Sequence, residues 1–140
     1  MFPFALACLR IALGWLFFYA GITKVLNAEW SAAGYISNAQ TFSAFYEWLA
    51  SPGIIDVINF LNAWGLTLIG IALVLGLFTR IASYLGALLM LLYYLPILSF
   101  PYVGEHSYLV DEHIIYIFVL ILFTHIKAGN YFSLDGLRKR

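Results

Sequence analysis

Three consecutive ionisable residues, Asp111, Glu112 and His113, stand immediately before an apolar run that begins at Ile114. A carboxylate beside an imidazole is a pair that can exchange protons. Ionisable groups are costly inside a membrane, and where they occur there they usually pair or serve a pathway. We therefore interpret these three residues as candidate catalytic groups. The alternative is a solvated helix start.

Two basic residues lie in the first apolar run and are candidates for binding a polar group. Lys24 ends the run, and we expect it to pair with Asp111 or Glu112, either as a structural contact or within a proton-exchanging, anion-binding pocket. Arg10 lies about two turns inside the run. It either extends toward the lipid head groups or faces the helices and holds a polar head group or a partner subunit. Three aromatic residues complete the predicted binding set, Tyr19, Trp64 and Tyr116, with Tyr93 and Tyr94 as further candidates for an aromatic lining.

The composition indicates that lipid surrounds most of the chain. Of 140 residues, 64% are hydrophobic and 10% are charged, with a mean hydropathy of +0.92. Soluble domains are about half apolar and about a quarter charged. The zero net charge and the lack of a basic patch exclude a nucleic-acid partner. The single cysteine, Cys8, excludes a paired-thiol oxidoreductase, and no metal site is predicted.

Hydropathy predicts one domain over residues 1–140, an all-α integral membrane four-helix bundle. The predicted spans are about 4–24, 54–79, 81–100 and 107–127. The fourth apolar run, Ile114–Ile126, has only 13 residues, about two thirds of the length that a span needs. If it spans, its helix must begin near His106 or Tyr108, which places the Asp111–His113 group within the first two turns.

The connection between spans one and two predicts an additional helix. Its sequence "TFSAFYEWLASPG" carries apolar side chains at helical spacing, at Phe42, Phe45, Trp48 and Leu49. We expect an amphipathic outer helix that lies on the membrane or caps the bundle.

Charge asymmetry predicts the orientation of the chain. Six of the seven basic residues lie toward the side of both termini: Arg10, Arg80, Lys127, Arg138, Lys139 and Arg140. Because basic residues concentrate on the cytoplasmic side, we expect both termini to be cytoplasmic and the Asp111–His113 group to lie near the outer face.

Four stretches of the chain carry a family resemblance. They are "LRIALGWLFFYAGITK" (9–24), "WGLTLIGIALVLGLFTRIAS" (64–83), "DEHIIY" (111–116) and "AGNYFSLDGLRKR" (128–140). Together they resemble the DoxX/DoxD family of small four-helix membrane proteins. The polar positions that the resemblance carries onto this chain are Arg10, Lys24, Arg80, Asp111 and His113.

The resemblance implies a subunit of redox complexes in a prokaryotic-type plasma membrane. The family's namesake is similar to the large membrane subunit of a thiosulfate:quinone oxidoreductase, which oxidises thiosulfate to tetrathionate and passes electrons to quinone. The implied partners are the lipid bilayer and other membrane or redox subunits. Quinone is the implied cofactor, bound without a covalent link.

These observations lead to two hypotheses of function. The first is a membrane subunit of a quinone-linked complex, with thiosulfate as a candidate substrate and a polar site near the outer face. The second is a non-catalytic accessory subunit of a larger membrane assembly. Cys8 is the only residue that could hold sulfur as a persulfide. It lies on the side away from the predicted site, which argues against sulfur chemistry within this chain.

Overall fold

The computed structural model describes residues 1–139; Arg140, which contributes to the charge asymmetry, lies outside the described residues. Helices make up most of this part of the chain, together with a small antiparallel hairpin. The elements are α1 (Phe2–Leu26), α2 (Ala33–Ser37), α3 (Ser43–Leu49), α4 (Ile54–Leu75), α5 (Thr79–Ile97), β1 (Tyr102–Gly104), β2 (Ser107–Tyr108), α6 (Glu112–His125), a 3-10 turn (Ala128–Asn130) and α7 (Leu134–Arg138).

Three helices, α1, α4 and α5, are long and apolar enough to cross a membrane, and α6 is a shorter apolar helix. The predicted fold class, an all-α integral membrane protein, is confirmed. The helices form two close pairs, α1 with α4 and α5 with α6. Their shared core is built from large apolar side chains, including Leu13, Phe17, Leu73, Leu120 and Phe123.

Glycines set the close approach of α1 and α4. A Cβ atom added at Gly14 would lie 2.7 Å from the backbone nitrogen of Val74, and one added at Gly21 would overlap Thr67. Small residues at a helix contact let two backbones come together and gain dispersion energy where no water is available to drive packing. The sequence of α1 therefore fixes its position against α4 over about two turns between these glycines.

The predicted start of the fourth helix is wrong. Helix α6 begins at Glu112, and the residues where we expected its first turns form the β1–β2 hairpin. The reason lies in Asp111, whose Oδ1 accepts the N–H groups of His113 at 3.0 Å and Ile114 at 3.4 Å. A carboxylate that accepts these donors is a helix N-cap. The helix has 14 residues, about 21 Å of rise, so it falls short of the ~30 Å hydrocarbon core.

The predicted outer helix is present as α3, and a second short helix that was not predicted, α2, precedes it. Phe45 and Trp48 of the predicted apolar face of α3 are exposed, whereas Tyr46 is 1% exposed. Helices α2 and α3 fold over the end of the bundle that contains Lys24. We call this the Lys24 end and the opposite end, where Arg10 lies, the Arg10 end.

Candidate functional site

A cavity of about 590 Å³ lies at the Lys24 end, between helices α1, α4, α5 and α6 and beneath α2 and α3. Most of its wall is aliphatic or aromatic. The side chains that bring polar atoms to the wall are few: Lys24, Trp30, Ser31, Tyr35, Tyr46, Asn62, Tyr93, His113 and Tyr116. Among residues 1–139, no carboxylate side chain lines the cavity. The arrangement is that of a ligand pocket, a concave apolar space with a small number of polar groups that orient what it binds.

Lys24 supplies the strongest charge of this cavity. Its Nζ donates to the side-chain oxygen of Asn62 at 3.0 Å and to the hydroxyl of Tyr93 at 2.7 Å. It also lies 4.6 Å from the ring centre of Trp30, within range of a cation–π contact. An ammonium has three N–H donors, so one remains for a ligand with an acceptor oxygen.

The predicted pairing of Lys24 with Asp111 or Glu112 is not what the structure shows. Within residues 1–139, the one close contact between an acidic side chain and a basic or imidazole side chain joins Asp111 to His113, and the hydrogen bonds of Lys24 go to neutral groups on α4 and α5. The physical reason is the N-cap, because the backbone donors of α6 hold the Asp111 carboxylate at the start of the helix.

His113 brings the second ionisable group to the cavity wall. Its Nδ1 lies 2.7 Å from Oδ2 of Asp111, and the two side chains are 18% and 11% exposed. The ring of His113 is 6.0 Å from that of Tyr93, centre to centre. Since Asp111 occupies Nδ1, Nε2 is the only ring nitrogen left for a ligand.

Helices α2 and α3 cover the cavity, and we call them its roof. They are hydrogen-bonded to α5 where a proline interrupts that helix's own hydrogen bonds. Pro96 lies inside α5 and has no N–H, so the carbonyl of Leu92 lacks its usual helical donor. The hydroxyl of Tyr46 supplies one instead, at 2.8 Å, and the hydroxyl of Tyr35 donates to the carbonyl of Tyr93.

Both roof tyrosines stay protonated at physiological pH. Burial, together with the charges of Asp111, Tyr46 and Glu112, raises the pKa of Tyr35 to about 12. Burial likewise raises the pKa of Tyr46 to about 12. Each hydroxyl therefore remains a hydrogen-bond donor to α5 at physiological pH.

The Arg10 end carries a different polar arrangement. Arg10 is 0% exposed, and its guanidinium donates to the carbonyls of Ala128 at 3.3 Å, Tyr131 at 3.2 Å and Phe132 at 2.8 Å. Its Nε has no partner among the described residues. The planar guanidinium thus holds the turn that follows α6 against α1, a task suited to its several fixed donors.

Asp135 completes this arrangement from α7. Its carboxylate accepts the backbone N–H groups of Phe78 and Thr79, each at 3.0 Å, and so caps the start of α5. Gly76 is required beside it, because its φ of +66° is left-handed and an added Cβ would overlap Ser133 and Arg10.

The sequence comparison decides the family. The DoxX family model matches residues 5–97, about two thirds of the chain. The chain belongs to the DoxX family. No curated protein and no solved structure matches it. In this DoxX protein the matched region supplies Arg10, Lys24 and Tyr93, whereas Asp111 and His113 follow it along the chain.

The structure brings together some of the predicted site residues and separates others. Lys24, His113 and Tyr116 line the cavity, and Asp111 contacts His113 from behind. Four predicted residues do not line it: Glu112, Tyr19 and Trp64, which are exposed, and Arg10, about 21 Å from Lys24 along α1. Helical spacing explains the exposure of Glu112, since it directly precedes His113 and adjacent helical residues do not share a face.

Several cavity residues were not in the predicted binding set, although Tyr93 was a candidate for its aromatic lining. Asn62 and Tyr93 bind Lys24 from 38 and 69 positions away in the chain. A buried asparagine in an apolar helix was the one available signal, because an amide needs a partner there. Trp30, Tyr35 and Tyr46 come from the connection before α4 and have no comparable signal. Among residues 1–139 no cluster of three metal-binding side chains occurs.

Proposed function

We propose that this DoxX protein is a membrane subunit of a quinone-linked redox system and that the cavity at the Lys24 end binds the quinone head group. The observation that carries the proposal is the placement of Lys24. Its ammonium lies in an apolar, aromatic cavity without a carboxylate on the wall, and one of its donors has no protein partner. That group fits an oxygen acceptor on a flat, apolar ligand.

The cavity meets the physical requirements of such a ligand. Its volume of about 590 Å³ falls within the range of roughly 300–1,000 Å³ that is usual for small-molecule pockets. Trp30, Tyr35 and Tyr93 offer aromatic faces, Lys24 donates to one ring oxygen, and His113 provides a second polar contact. Bound quinone would supply two-electron redox chemistry. The chain's own groups bind and orient it, and the pair of Asp111 and His113 exchanges protons.

The charge asymmetry supports an orientation with both termini in the cytoplasm and the Lys24 end at the outer face of the membrane. Lys24 would then be the one basic residue on the outer side. No cysteine lines the cavity, so we assign any thiosulfate chemistry to a partner subunit.

Quenching of tryptophan fluorescence tests the proposal. Because Trp30 lies 4.6 Å from Lys24 Nζ, a quinone held by Lys24 should quench it. The purified protein in detergent is titrated with a short-chain ubiquinone, and a Trp30→Phe variant identifies the part of the signal that Trp30 provides. We expect Lys24→Met to weaken binding about tenfold or more, since it removes a charged hydrogen bond.

The matched control is Lys127→Met, because Lys127 is an exposed lysine at the Arg10 end. This variant should bind quinone as tightly as the unmodified protein does. Equal affinity of Lys24→Met and the unmodified protein would overturn the proposal.

An accessory role is the second candidate, and the outer surface favours it. Phe42, Phe45 and Trp48 are 65%, 45% and 57% exposed, which leaves an aromatic surface beside α3 that another subunit could cover. Purification of the assembled complex separates the two candidates. Normal turnover of a complex that contains Lys24→Met together with His113→Gln favours the accessory role, and loss of turnover favours the quinone site.

A further inference from the structure

The two polar groups of the cavity differ in what they can do for a ligand. Lys24 offers an N–H donor and, as an ammonium, has no acceptor. His113 offers a ring nitrogen, whose role depends on which of its two nitrogens carries the proton. Which ring nitrogen carries the proton determines whether His113 can accept a hydrogen bond from a ligand or donate one to it.

Asp111 fixes that state. Its carboxylate can only accept hydrogen bonds, and its Oδ2 lies 2.7 Å from Nδ1 of His113. In the neutral ring Nδ1 therefore carries the proton, and Nε2 is left with a lone pair. No described residue donates to Nε2, and His113 lines the cavity wall.

The backbone makes the arrangement rigid. The same carboxylate accepts the N–H of His113 at 3.0 Å and that of Ile114 at 3.4 Å through Oδ1. One side chain thus fixes both the start of α6 and the ring of the second residue of the helix. The ring contacts Asp111 and lies 6.0 Å from the ring of Tyr93 on α5. The cavity that it lines also contains Lys24 of α1 and Tyr35 of α2, and Glu112 is its neighbour in the chain.

We infer that the cavity selects the reduced form of its ligand, a hydroquinone, with Asp111 as the positioning residue that makes His113 Nε2 a hydrogen-bond acceptor. This inference rests on the proposed quinone site. A hydroquinone hydroxyl can donate to Nε2, while the opposite oxygen accepts from Lys24. An oxidised quinone has carbonyls alone, so it satisfies Lys24 and leaves the lone pair of Nε2 without a donor.

The same geometry allows a hydroxyl proton of the hydroquinone to transfer to Nε2 of His113. When the hydroxyl proton moves, its O–H bond breaks and an N–H bond forms at Nε2. The positive charge that results on the ring lies against the Asp111 carboxylate, and the negative charge on the oxygen lies within the cavity that holds the Lys24 ammonium.

The test compares the affinities of a short-chain ubiquinone and its hydroquinone in anaerobic detergent solution. The purified full chain is used, with Asp111→Asn as the informative variant. Asparagine is as good an N-cap as aspartate, so α6 should keep its start. Its amide can either donate or accept, however, and no longer fixes the ring.

We expect the unmodified protein to bind the hydroquinone more tightly, by about tenfold, the effect of one unpaired buried acceptor. Asp111→Asn should lose that preference, because the tautomer with the proton on Nε2 can donate to a quinone carbonyl and the affinity for the oxidised form rises. His106→Gln is the control, because His106 is an exposed histidine in the hairpin turn and should keep the preference.

A spectroscopic readout separates positioning from a general structural effect. The chain has three histidines, so ¹⁵N labelling of the imidazoles gives few signals, and His106→Gln and His125→Gln assign them. At a pH at which the ring is neutral, we expect its proton on Nδ1 in the unmodified protein. In Asp111→Asn the second tautomer should appear.

The outcomes are distinct for the two proposals. Equal affinity for both ligand forms, or an undiminished preference in Asp111→Asn, overturns the inference and leaves the quinone site standing. Failure of both forms to bind overturns the quinone site itself. A lost preference together with the second tautomer supports both.

Discussion

The two ends of the bundle use a basic residue of the same helix in opposite ways. At the Arg10 end, the guanidinium donates to three backbone carbonyls and is sealed from solvent. At the Lys24 end, the ammonium contacts two neutral side chains and faces a cavity of about 590 Å³. Both residues belong to α1, about 21 Å apart along its axis.

The difference separates a residue that stabilises the fold from one that is available to a ligand. A cation whose donors go to backbone carbonyls fixes chain segments in place, whereas a cation in an apolar cavity without a carboxylate costs stability and is retained where function requires it. Family membership alone does not reveal this difference, since the DoxX match over residues 5–97 includes both basic residues.

Removal of Arg10 should have the largest effect on stability. Arg10→Met should lower the free energy of unfolding by about 3 kcal/mol or more, because one buried and two partly buried carbonyls lose hydrogen bonds to a charged donor. Unfolding in mixed detergent measures the change, with Arg80→Met, an exposed arginine at the same end, as the control. A change below about 1 kcal/mol would show that water replaces the lost donors.

Removal of Lys24 should have the opposite pattern. Lys24→Met should weaken binding of the cavity ligand by about 1.5–3 kcal/mol, the range for one charged hydrogen bond. The thermal midpoint without ligand should stay the same or rise, because a partly buried charge is replaced by an apolar side chain of similar length. A clear drop in the midpoint would instead assign Lys24 the same structural role as Arg10.

Asp135 provides a sharper test of the Arg10 end. Asp135→Ala should cost about 1–2 kcal/mol, the usual cost of removing a helix cap, and leave ligand binding unchanged. Asp135→Asn, which keeps an acceptor, should cost less. Ligand affinity that falls with Asp135→Ala would show that the two ends are coupled.

The pH dependence of Asp135 follows from its contacts. Burial alone would raise the pKa of Asp135, but the N–H groups of Thr79 and Phe78 and the charge of Lys139 lower it below its ordinary value. A depressed folded-state pKa stabilises the fold above the unfolded-state value of about 3.9. That contribution is lost as the pH falls through the lower folded-state pKa. A pH titration of unfolding should show the loss in the unmodified protein and not in Asp135→Ala.

The smallest effect is expected at the roof of the cavity. Tyr46→Phe removes the hydroxyl that donates to the Leu92 carbonyl and should cost about 1 kcal/mol, a typical single hydrogen bond. Hydrogen exchange in residues 33–49 should become faster, while exchange at the Arg10 end stays the same. Tyr19→Phe is the control, because Tyr19 is 60% exposed. Unchanged exchange in Tyr46→Phe would mean that the roof is held without this bond.

The sequence predicts the apolar helices well, because α1, α4 and α5 each have enough apolar residues in one run. It does not locate the start of α6. Asp111 fits equally well as an N-cap and as a residue one or two turns inside a longer helix, and hydropathy does not distinguish the two. The apolar residues Leu109 and Val110 before it extend the pattern without being helical.

The candidate site is predictable only in part. Lys24 and His113 stand out as ionisable residues near apolar runs, but the partners of Lys24 do not. The expectation of an ion pair rests on attraction between opposite charges. In the structure, Asp111 instead contacts the α6 backbone and His113, and Lys24 donates hydrogen bonds to Asn62 and Tyr93. Those contacts join distant parts of the chain and follow from how the helices pack.

The short length of α6 has a consequence for the surrounding bilayer. A helix of 14 residues leaves a hydrophobic mismatch of about 9 Å against an average hydrocarbon core. Lipid adjusts to such a deficit by thinning locally, at a cost of fractions of a kcal/mol per Å. We expect a depression of the membrane beside α6, at the end that carries His113. A protein with this shape should concentrate in thinner membranes, and its lipid-soluble ligands would have a shorter distance to travel from the midplane to the level of the cavity.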